Sequence, residues 1–189
     1  MSRKLFAAAA AGLALVAVTG GYASAQMTAE KTVQVGGAPM YPSKNIIQNA
    51  VNSKDHTTLV AAVKAAGLVD TLSGPGPFTV FAPTNEAFAK LPAGTVDMLV
   101  KPENKATLTS ILTYHVVPGR ITAAMIAAKA KANGGTATYK TVQGEPLRFK
   151  KMGNGWAIMD GKGDTGMITI ANVMQSNGVI HVIDTVMMP

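Results

Sequence analysis

Cysteine is absent from this chain of 189 residues, and tryptophan occurs only once. The absence of cysteine excludes disulfide bonds, a lipid anchor attached to a cysteine, and a cysteine nucleophile. An exported protein of this composition must therefore depend on its hydrophobic core for stability. Beyond the N-terminus no apolar run is long enough to cross a bilayer, so we expect no membrane span in the mature chain.

The N-terminus has the features of an export signal. Arg3 and Lys4 supply positive charge, and an apolar run follows at residues 5–18. Residues 23–25, Ala-Ser-Ala, fit the small-residue pattern of a cleavage site. We therefore predict a signal peptide at residues 1–25 and a secreted or periplasmic product. The remaining residues, 26–189, are enough for one domain.

Positive charge exceeds negative charge in the chain. The formal net charge is +7, and removal of Arg3 and Lys4 with the signal leaves +5. The basic residues are scattered along the sequence, and only Lys150 and Lys151 are adjacent in the mature chain. Because nucleic-acid binding favours a clustered basic stripe with interleaved aromatic residues, we expect no nucleic-acid partner. The charge leaves open a weak attraction to acidic polysaccharides or lipid headgroups, although a solvated surface is the simpler interpretation.

Residues 78–91 give the clearest local pattern, a strand followed directly by a short helix. The first four residues are rich in aromatic and β-branched types, which favour a strand. Pro83 then ends the strand, and Thr84 is a good N-cap. Phe88 and Leu91 lie three residues apart and share one helical face.

Elsewhere the hydrophobic periodicity predicts helices before strands. Residues 26–44 are polar and contain glycine and proline, so we predict a flexible arm there with an edge strand at 32–35. A short strand is predicted at 114–117. Helices followed by strands indicate an α+β protein rather than an alternating α/β fold. The predicted helices cover residues 46–51, 56–66, 96–100, 103–112 and 123–132, and the predicted C-terminal strands cover residues 136–142, 146–151, 156–159, 167–172 and 179–184.

Three segments carry a family resemblance. Residues 78–88 are FTVFAPTNEAF, residues 114–119 are YHVVPG, and residues 177–184 are NGVIHVID, followed by a short apolar end. In this order and spacing they resemble the first signature box, the central Tyr-His motif and the second box of the fasciclin (FAS1) domain. The resemblance covers residues 45–189, which we take as the domain.

The resemblance implies a wedge-shaped β-sandwich of about seven strands with helices packed along one side, within the α+β class. FAS1 domains are mostly extracellular, occur in adhesion and matrix proteins, and are not generally enzymes. Some members bind apolar ligands such as carotenoids. Adhesive animal members often carry an Asp-Ile pair before the second box, but residues 170–173 are Ile-Ala-Asn-Val here. Receptor binding of that type is therefore not expected.

The sequence contains no recognisable catalytic or metal-binding set. A metal site needs at least three converging ligands, and none of His56, His115 and His181 has a second histidine nearby. No serine lies in a Gly-x-Ser-x-Gly frame. Residues 160–166 hold two aspartates separated by Lys162, which fits a flexible loop better than a calcium site. We expect no cofactor and no enzymatic activity, unless a cleft pairs His115 or His181 with a serine or carboxylate.

Tyr114 and His115 are the candidate partner-binding residues, because tyrosine and histidine are amphipathic and favoured in contacts. A structural role for each histidine is the simpler interpretation, since buried polar side chains are normally hydrogen-bonded. The other motif residues are expected to hold the fold together: Phe78, Phe81, Pro83, Thr84, Asn85, Phe88, Asn177, Gly178 and His181.

The expected function is that of a non-catalytic binding module in cell adhesion or in contacts with the envelope or extracellular matrix. Its partner would be a protein or polysaccharide of the cell surface or matrix. The alternative is a carrier of an apolar ligand such as a carotenoid or lipid, because methionines can line a soft groove as well as fill a core. The methionines concerned are Met152, Met159, Met167, Met174, Met187 and Met188.

Overall fold

The computed structural model of the chain describes residues 30–189, so the predicted signal peptide lies outside the described residues. None of the helices in this part combines the length and apolar character that crossing a bilayer requires. The helices are α1 (Ile46–Ala50), α2 (Thr57–Ala66), α3 (Val69–Ser73), α4 (Asn85–Ala89), α5 (Thr95–Leu99), α6 (Lys105–Tyr114) and α7 (Ala123–Ala132). The strands are β1 (Val33–Val35), β2 (Ala38–Met40), β3 (Phe78–Pro83), β4 (Val116–Pro118), β5 (Thr136–Lys140), β6 (Pro146–Met152), β7 (Gly155–Met159), β8 (Thr165–Gln175) and β9 (Gly178–Ile183).

Seven strands form one sheet in the order β4-β3-β9-β8-β7-β6-β5, while β1 and β2 form a separate hairpin. β3 and β9 pair in parallel, and the other neighbours pair antiparallel. Both strands of the parallel pair are buried on both faces. This burial explains why their sequences are nearly continuous apolar runs rather than alternating patterns.

The sheet folds over on itself into two layers. β8 has irregular register in its middle, so its first part pairs with β7 and its second part with β9. The ring centroids of Phe81 in β3 and Phe149 in β6 consequently lie 5.0 Å apart, although β9, β8 and β7 separate the two strands in the sheet. At the edges, the backbone N–H of Val142, just after β5, donates to the carbonyl of Val116 in β4 (2.7 Å). This contact brings the two edges of the sheet together.

Alternate side chains of β3 and β9 enter two hydrophobic cores. Val80 and Ala82 face the helices, where they join buried residues of α1, α2, α4 and α6. Phe81 and Ile183 face the other way and pack with Phe149 between the two sheet layers. The molecule therefore has a helical layer, a central sheet layer and an outer sheet layer. This is the α+β sandwich with helices along one side that the resemblance implies.

Side-chain caps explain where several helices begin. Asn45 and Gln48 form a reciprocal capping box at the start of α1. Thr84 and Thr122, the predicted N-caps of α4 and α7, each accept a hydrogen bond from the backbone N–H three residues later, at 3.2 and 3.3 Å. Gly67 ends α2 in the left-handed conformation (φ 73°), as the stop predicted there requires.

The predicted boundary at residue 45 is corrected by the β1–β2 hairpin. The edge strand expected at 32–35 is present as β1, and it pairs with β2. Val35 and Met40 are each 3% exposed and belong to the core beneath the helices. Residues 33–40 are therefore a packed part of the domain rather than a free arm, because their alternate apolar side chains are buried.

The predicted strand at 114–117 is wrong in its first half. Tyr114 is the last residue of α6, His115 is the C-cap of that helix, and β4 begins at Val116. The buried face of α6 continues from Ile111 to Tyr114, so tertiary packing extends the helix over a residue type that locally favours a strand.

Candidate functional site

The first motif segment is held at the junction of β3 and α4 by its own side chains. Asn85 accepts a hydrogen bond from the N–H of Thr58 (3.0 Å) and donates one to the carbonyl of Lys54 (2.8 Å). It therefore ties the start of α4 to the start of α2, while Thr84 caps α4. The other motif positions lie in the interior or at its margin: Phe78 is half-buried, and Phe81, Pro83 and Phe88 are buried.

Tyr114, one of the two candidate partner-binding residues, is fully buried at 0% exposure. Its hydroxyl donates to the carbonyl of Pro146 at the start of β6 (3.0 Å) and accepts from the N–H of Gly161 after β7 (3.0 Å). Burial raises the pKa of the Tyr114 phenol, so the ring stays neutral. The side chain joins α6 to two connections of the outer sheet layer, and a partner cannot reach it.

His115, the other candidate, is 2% exposed. Its Nδ1–H donates to the carbonyl of Ile111 (2.8 Å), and its Nε2 accepts from the N–H of Met187 (3.0 Å). Burial lowers the pKa of His115 to about 4, which keeps this neutral tautomer at physiological pH. The prediction of a partner-binding surface at Tyr114 and His115 is therefore wrong, because both side chains are occupied by interior hydrogen bonds.

Asn177 connects three separate parts of the chain. Its side-chain oxygen accepts from the N–H of Ile46 at the start of α1 (3.0 Å). Its amide group donates to the carbonyls of Leu72 and Gly74 at the end of α3 (2.8 Å each). The turn before β9 is thereby fixed to the helical layer.

Gly178 and His181 complete the second motif segment inside the sheet. A Cβ atom on Gly178 would overlap the carbonyl oxygen of Phe78 on the neighbouring strand, so only glycine fits. The Nε2–H of His181 donates to the carbonyl of Ile121 (2.8 Å), and its Nδ1 accepts from the N–H of Asn172 (3.4 Å). Burial lowers the pKa of His181, and the ring is neutral.

One serine–histidine pair occurs in the described part of the chain, and sequence reasoning missed it. Ser53 Oγ and His56 Nδ1 lie 2.8 Å apart, and the two residues are 2% and 3% exposed. In a catalytic triad the serine bonds to Nε2 and a carboxylate orients Nδ1, whereas here the serine occupies Nδ1. Nε2 has no hydrogen-bond partner within residues 30–189. The spacing of Ser and His three residues apart was the signal that could have found the pair.

The surroundings of the Ser53–His56 pair do not favour catalysis. Burial lowers the pKa of His56, and this effect exceeds the opposing contributions of the Ala82 carbonyl and the Asp55 charge. The Ala82 carbonyl does not complete a hydrogen bond to Nε2. The pair has no orienting carboxylate and no open path for a substrate, so its geometry is that of a buried structural contact.

No group of three or more potential metal ligands converges anywhere in residues 30–189. The carboxylate of Asp160, in the loop that holds two aspartates around Lys162, is 1% exposed. Its Oδ1 accepts from the N–H groups of Lys162 (3.0 Å) and Asp164 (2.9 Å), and its Oδ2 accepts from the N–H of Met188 (3.0 Å). These bonds shape the loop between β7 and β8 and fasten the C-terminal end to it.

An apolar cleft lies between the helical layer and β3. It consists of two adjoining cavities of about 30 Å³ each, and four residues line both: Ile46, Ala50, Leu59 and Val80. His56 lines the second cavity. None of the six C-terminal methionines lines either cavity, but Met174 lines a separate, larger groove of about 310 Å³ with Met40 and Val33. The methionine-lined groove therefore stays a prediction, and the cleft is a separate, aliphatic one. The sequence did not reveal it because α1, α2 and β3 meet only in the tertiary structure.

Comparison with known families identifies the family of this chain. The model of the fasciclin domain matches residues 54–189. The chain belongs to the fasciclin domain family. This fasciclin protein is 49% identical over 164 residues to Protein sll1483 of Synechocystis sp., a match that covers 86% of this chain and 83% of that protein.

Two mycobacterial relatives extend the comparison. The fasciclin protein is 38% identical to Immunogenic protein MPB70 of Mycobacterium bovis, with 89% of this chain and 78% of that protein covered. It is 34% identical to Cell surface glycolipoprotein MPB83 of the same species, with 89% and 71% covered.

A solved structure confirms the fold. The FAS1 domain pair from the insect cell adhesion molecule fasciclin I matches with a TM-score of 0.69 at 16% sequence identity. The match covers 85% of this chain and 59% of that chain, so this protein spans less than two thirds of the solved pair. At this identity the likeness shows the FAS1 fold alone.

Proposed function

We propose that this fasciclin protein is exported and acts as a non-catalytic binding module at the cell surface or in the extracellular matrix. The observation that carries the proposal is the use of the motif side chains inside the protein. Tyr114, His115, Asn177 and His181 all hydrogen-bond backbone groups of other elements. The motifs therefore build a scaffold, and its outer surface is what a partner meets. The predicted signal peptide and a relative named as a cell surface glycolipoprotein support the same proposal.

Deletion and complementation in the source organism test this proposal. Loss of the gene should reduce attachment of cells to surfaces or matrix, and the full chain should restore it. A chain that lacks residues 2–25 should not restore attachment, because it stays in the cytoplasm. Ser53→Ala should restore attachment, because no chemical step depends on that hydroxyl. Unchanged attachment after deletion, or failure of a folded Ser53→Ala protein, would contradict the proposal.

The apolar cleft favours a second candidate function, carriage of an apolar ligand such as a carotenoid or lipid. Each cavity of about 30 Å³ has room for only one or two water-sized molecules. A long ligand would therefore have to displace α1, a helix of five residues packed against α3 and the β1–β2 hairpin. The aliphatic walls suit such a ligand once the cleft is open.

Two alanines provide a matched test of carriage. Ala50 lines both cavities, so Ala50→Phe fills the cleft, whereas Ala65 is exposed on α2 and Ala65→Phe leaves the cleft unchanged. When each protein is purified from the source organism and extracted with solvent, the native chain and Ala65→Phe should release bound carotenoid or lipid. Ala50→Phe should release less of it. A native protein that is colourless and lipid-free by mass spectrometry would remove this candidate.

A further inference from the structure

The net charge of the described chain is concentrated in one segment. Residues 129–151 hold six basic residues and one acidic residue, a net charge of +5. The rest of residues 30–189 holds nine basic and nine acidic residues and is neutral. Residues 129–151 comprise the end of α7, β5 and most of β6. The basic residues are therefore gathered in space at the outer sheet layer, although the sequence shows them scattered.

Strand register places three of these cations on one face. Ala137, Leu147 and Phe149 point into the core between the sheet layers and are 0% exposed. Side chains alternate along a strand, so the residues between them point outward. We define the basic face by five of these outward residues: Thr136, Thr138, Lys140, Arg148 and Lys150, of which all but the half-buried Thr136 are exposed. Pro146 and Met152 point to the same side at the two ends of β6.

The pairing of β5 with β6 sets the spacing on the basic face. Thr136 lies opposite Lys150, and Thr138 lies opposite Arg148. Arg148 and Lys150 are two residues apart on β6, about 7 Å along the strand. Lys140 is the diagonal neighbour of Arg148, about 7–8 Å away. The three cations form a line across two strands with hydroxyl groups beside them.

These cations have no acidic partners within the described residues. Within residues 30–189 the single ion pair closer than 4.0 Å joins Lys90 to Asp184 (3.8 Å). Glu145, the only acidic residue of the segment, lies in the loop before β6, with its carboxylate beside Gly161. The positive charge of the basic face is therefore available to an external anion.

We propose that the basic face binds an acidic polysaccharide, a polymer that carries carboxylates and hydroxyl groups on its sugars. A line of cations suits a chain of repeated negative charges, and the threonine hydroxyls can bond to sugar hydroxyls. A membrane-binding surface would insert several large apolar side chains among the cations, whereas the outward positions of β5 and β6 carry only one, Met152 at the end of β6. The proposal rests on the proposed extracellular binding function and names the chemistry of its partner.

A triple substitution tests the basic face. Lys140→Gln, Arg148→Gln and Lys150→Gln remove three charges from the face in one protein. The control protein carries Lys64→Gln, Lys101→Gln and Lys105→Gln, which remove the same charge from exposed positions on the helical layer. Binding of mature chain to polygalacturonate is measured by calorimetry at about 0.05 M salt, where screening is weak. The affinity of the basic-face protein for polygalacturonate should be about tenfold lower than that of the native chain, as expected for the loss of three exposed ion contacts. The affinity of the control protein should stay within about twofold of the native value.

Four outcomes would overturn the proposal. Equal weakening of both triple variants would show that only net charge matters. Absence of binding of the native chain to polygalacturonate would remove the polysaccharide. Binding to phosphatidylglycerol vesicles without binding to polygalacturonate would assign the face to a membrane. If deletion of the gene impairs attachment but the basic-face variant restores it fully, the proposed function stands and the polysaccharide proposal fails. Thermal unfolding confirms that both variants are folded.

Discussion

Asn177 shows at the scale of one residue why the motifs are structural. Its three hydrogen bonds reach backbone groups that lie 103 to 131 residues away in the sequence. Two of those groups, the N–H of Ile46 and the carbonyl of Leu72, are free ends of helices and would otherwise be buried without a partner. One amide side chain thus completes the ends of two helices and positions the turn before β9.

Replacement of Asn177 by alanine is expected to lower the free energy of unfolding by about 3 kcal/mol. The loss arises because the buried N–H of Ile46, the buried carbonyl of Leu72 and the part-buried carbonyl of Gly74 lose their partner. Urea unfolding measures the change. Asn154→Ala is the control, because Asn154 is exposed in the β6–β7 turn and should alter stability by less than about 0.5 kcal/mol. Similar losses for both variants would contradict the role assigned to Asn177.

The parallel pair β3–β9 is the element on which both sheet layers and the helical layer depend. Its register runs from Phe78 opposite Gly178 to Pro83 opposite Ile183. At the first of these pairs the two backbones approach so closely that no side chain fits between them. The close approach lets Phe81 stack on His181 three positions further along, with ring centroids 5.4 Å apart.

Gly178→Ala is expected to destabilise the protein by about 3 kcal/mol or more. The added Cβ overlaps a backbone oxygen of β3, which cannot move without separating the paired strands. Gly161→Ala is the matched control, since a Cβ there would meet only the Glu145 side chain at 3.4 Å. Thermal unfolding compares the two. A Gly178→Ala protein as stable as Gly161→Ala would show that the strands are not held as closely as described.

Three neutral histidines join the layers of the whole molecule. His115 links α6 to the C-terminal end, His181 links β9 to the segment before α7, and His56 lies between the helical layer and β3. Burial lowers the pKa of all three. Protonation of any of them would place a charge in the core. In His115 it would also remove the acceptor of the buried Met187 N–H, and in His181 the acceptor of the Asn172 N–H. The folded protein therefore holds all three neutral.

Stability is therefore expected to fall as the pH is lowered below about 6.5, the ordinary pKa of a histidine exposed to water in the unfolded chain. Between that value and the folded pKa of His115, about 4, the unfolded chain binds more protons, so acid favours unfolding. His115 alone should account for a loss of about 2 kcal/mol between about pH 7 and pH 5. Urea unfolding at the two pH values measures the loss. The His115→Gln protein should be less stable than the native protein at both pH values, but its free energy of unfolding should differ less between them. An unchanged difference would contradict a neutral His115 in the folded protein.

Local signals in the sequence were sufficient to predict much of the fold. The N-caps Thr84 and Thr122, the stop at Gly67 and the order of helices before strands depend on residues close to one another, and the structure confirms them. The three motif segments were sufficient to predict the FAS1 fold, which the family match and the solved domain pair confirm.

The accessibility of each side chain was decided only by the tertiary structure. Tyr114 and His115 look like contact residues in the sequence, but α6, the outer sheet layer and the C-terminal end bury them. The basic residues look scattered, but the pairing of β5 with β6 places Lys140, Arg148 and Lys150 on one exposed face. Burial and electrostatic potential are sums over neighbours that lie far apart in the chain, as the contact of Asn177 with Ile46 across 131 residues illustrates. A local sequence pattern records only neighbours along the chain. The surface that is available to a partner can therefore be identified only in the folded protein.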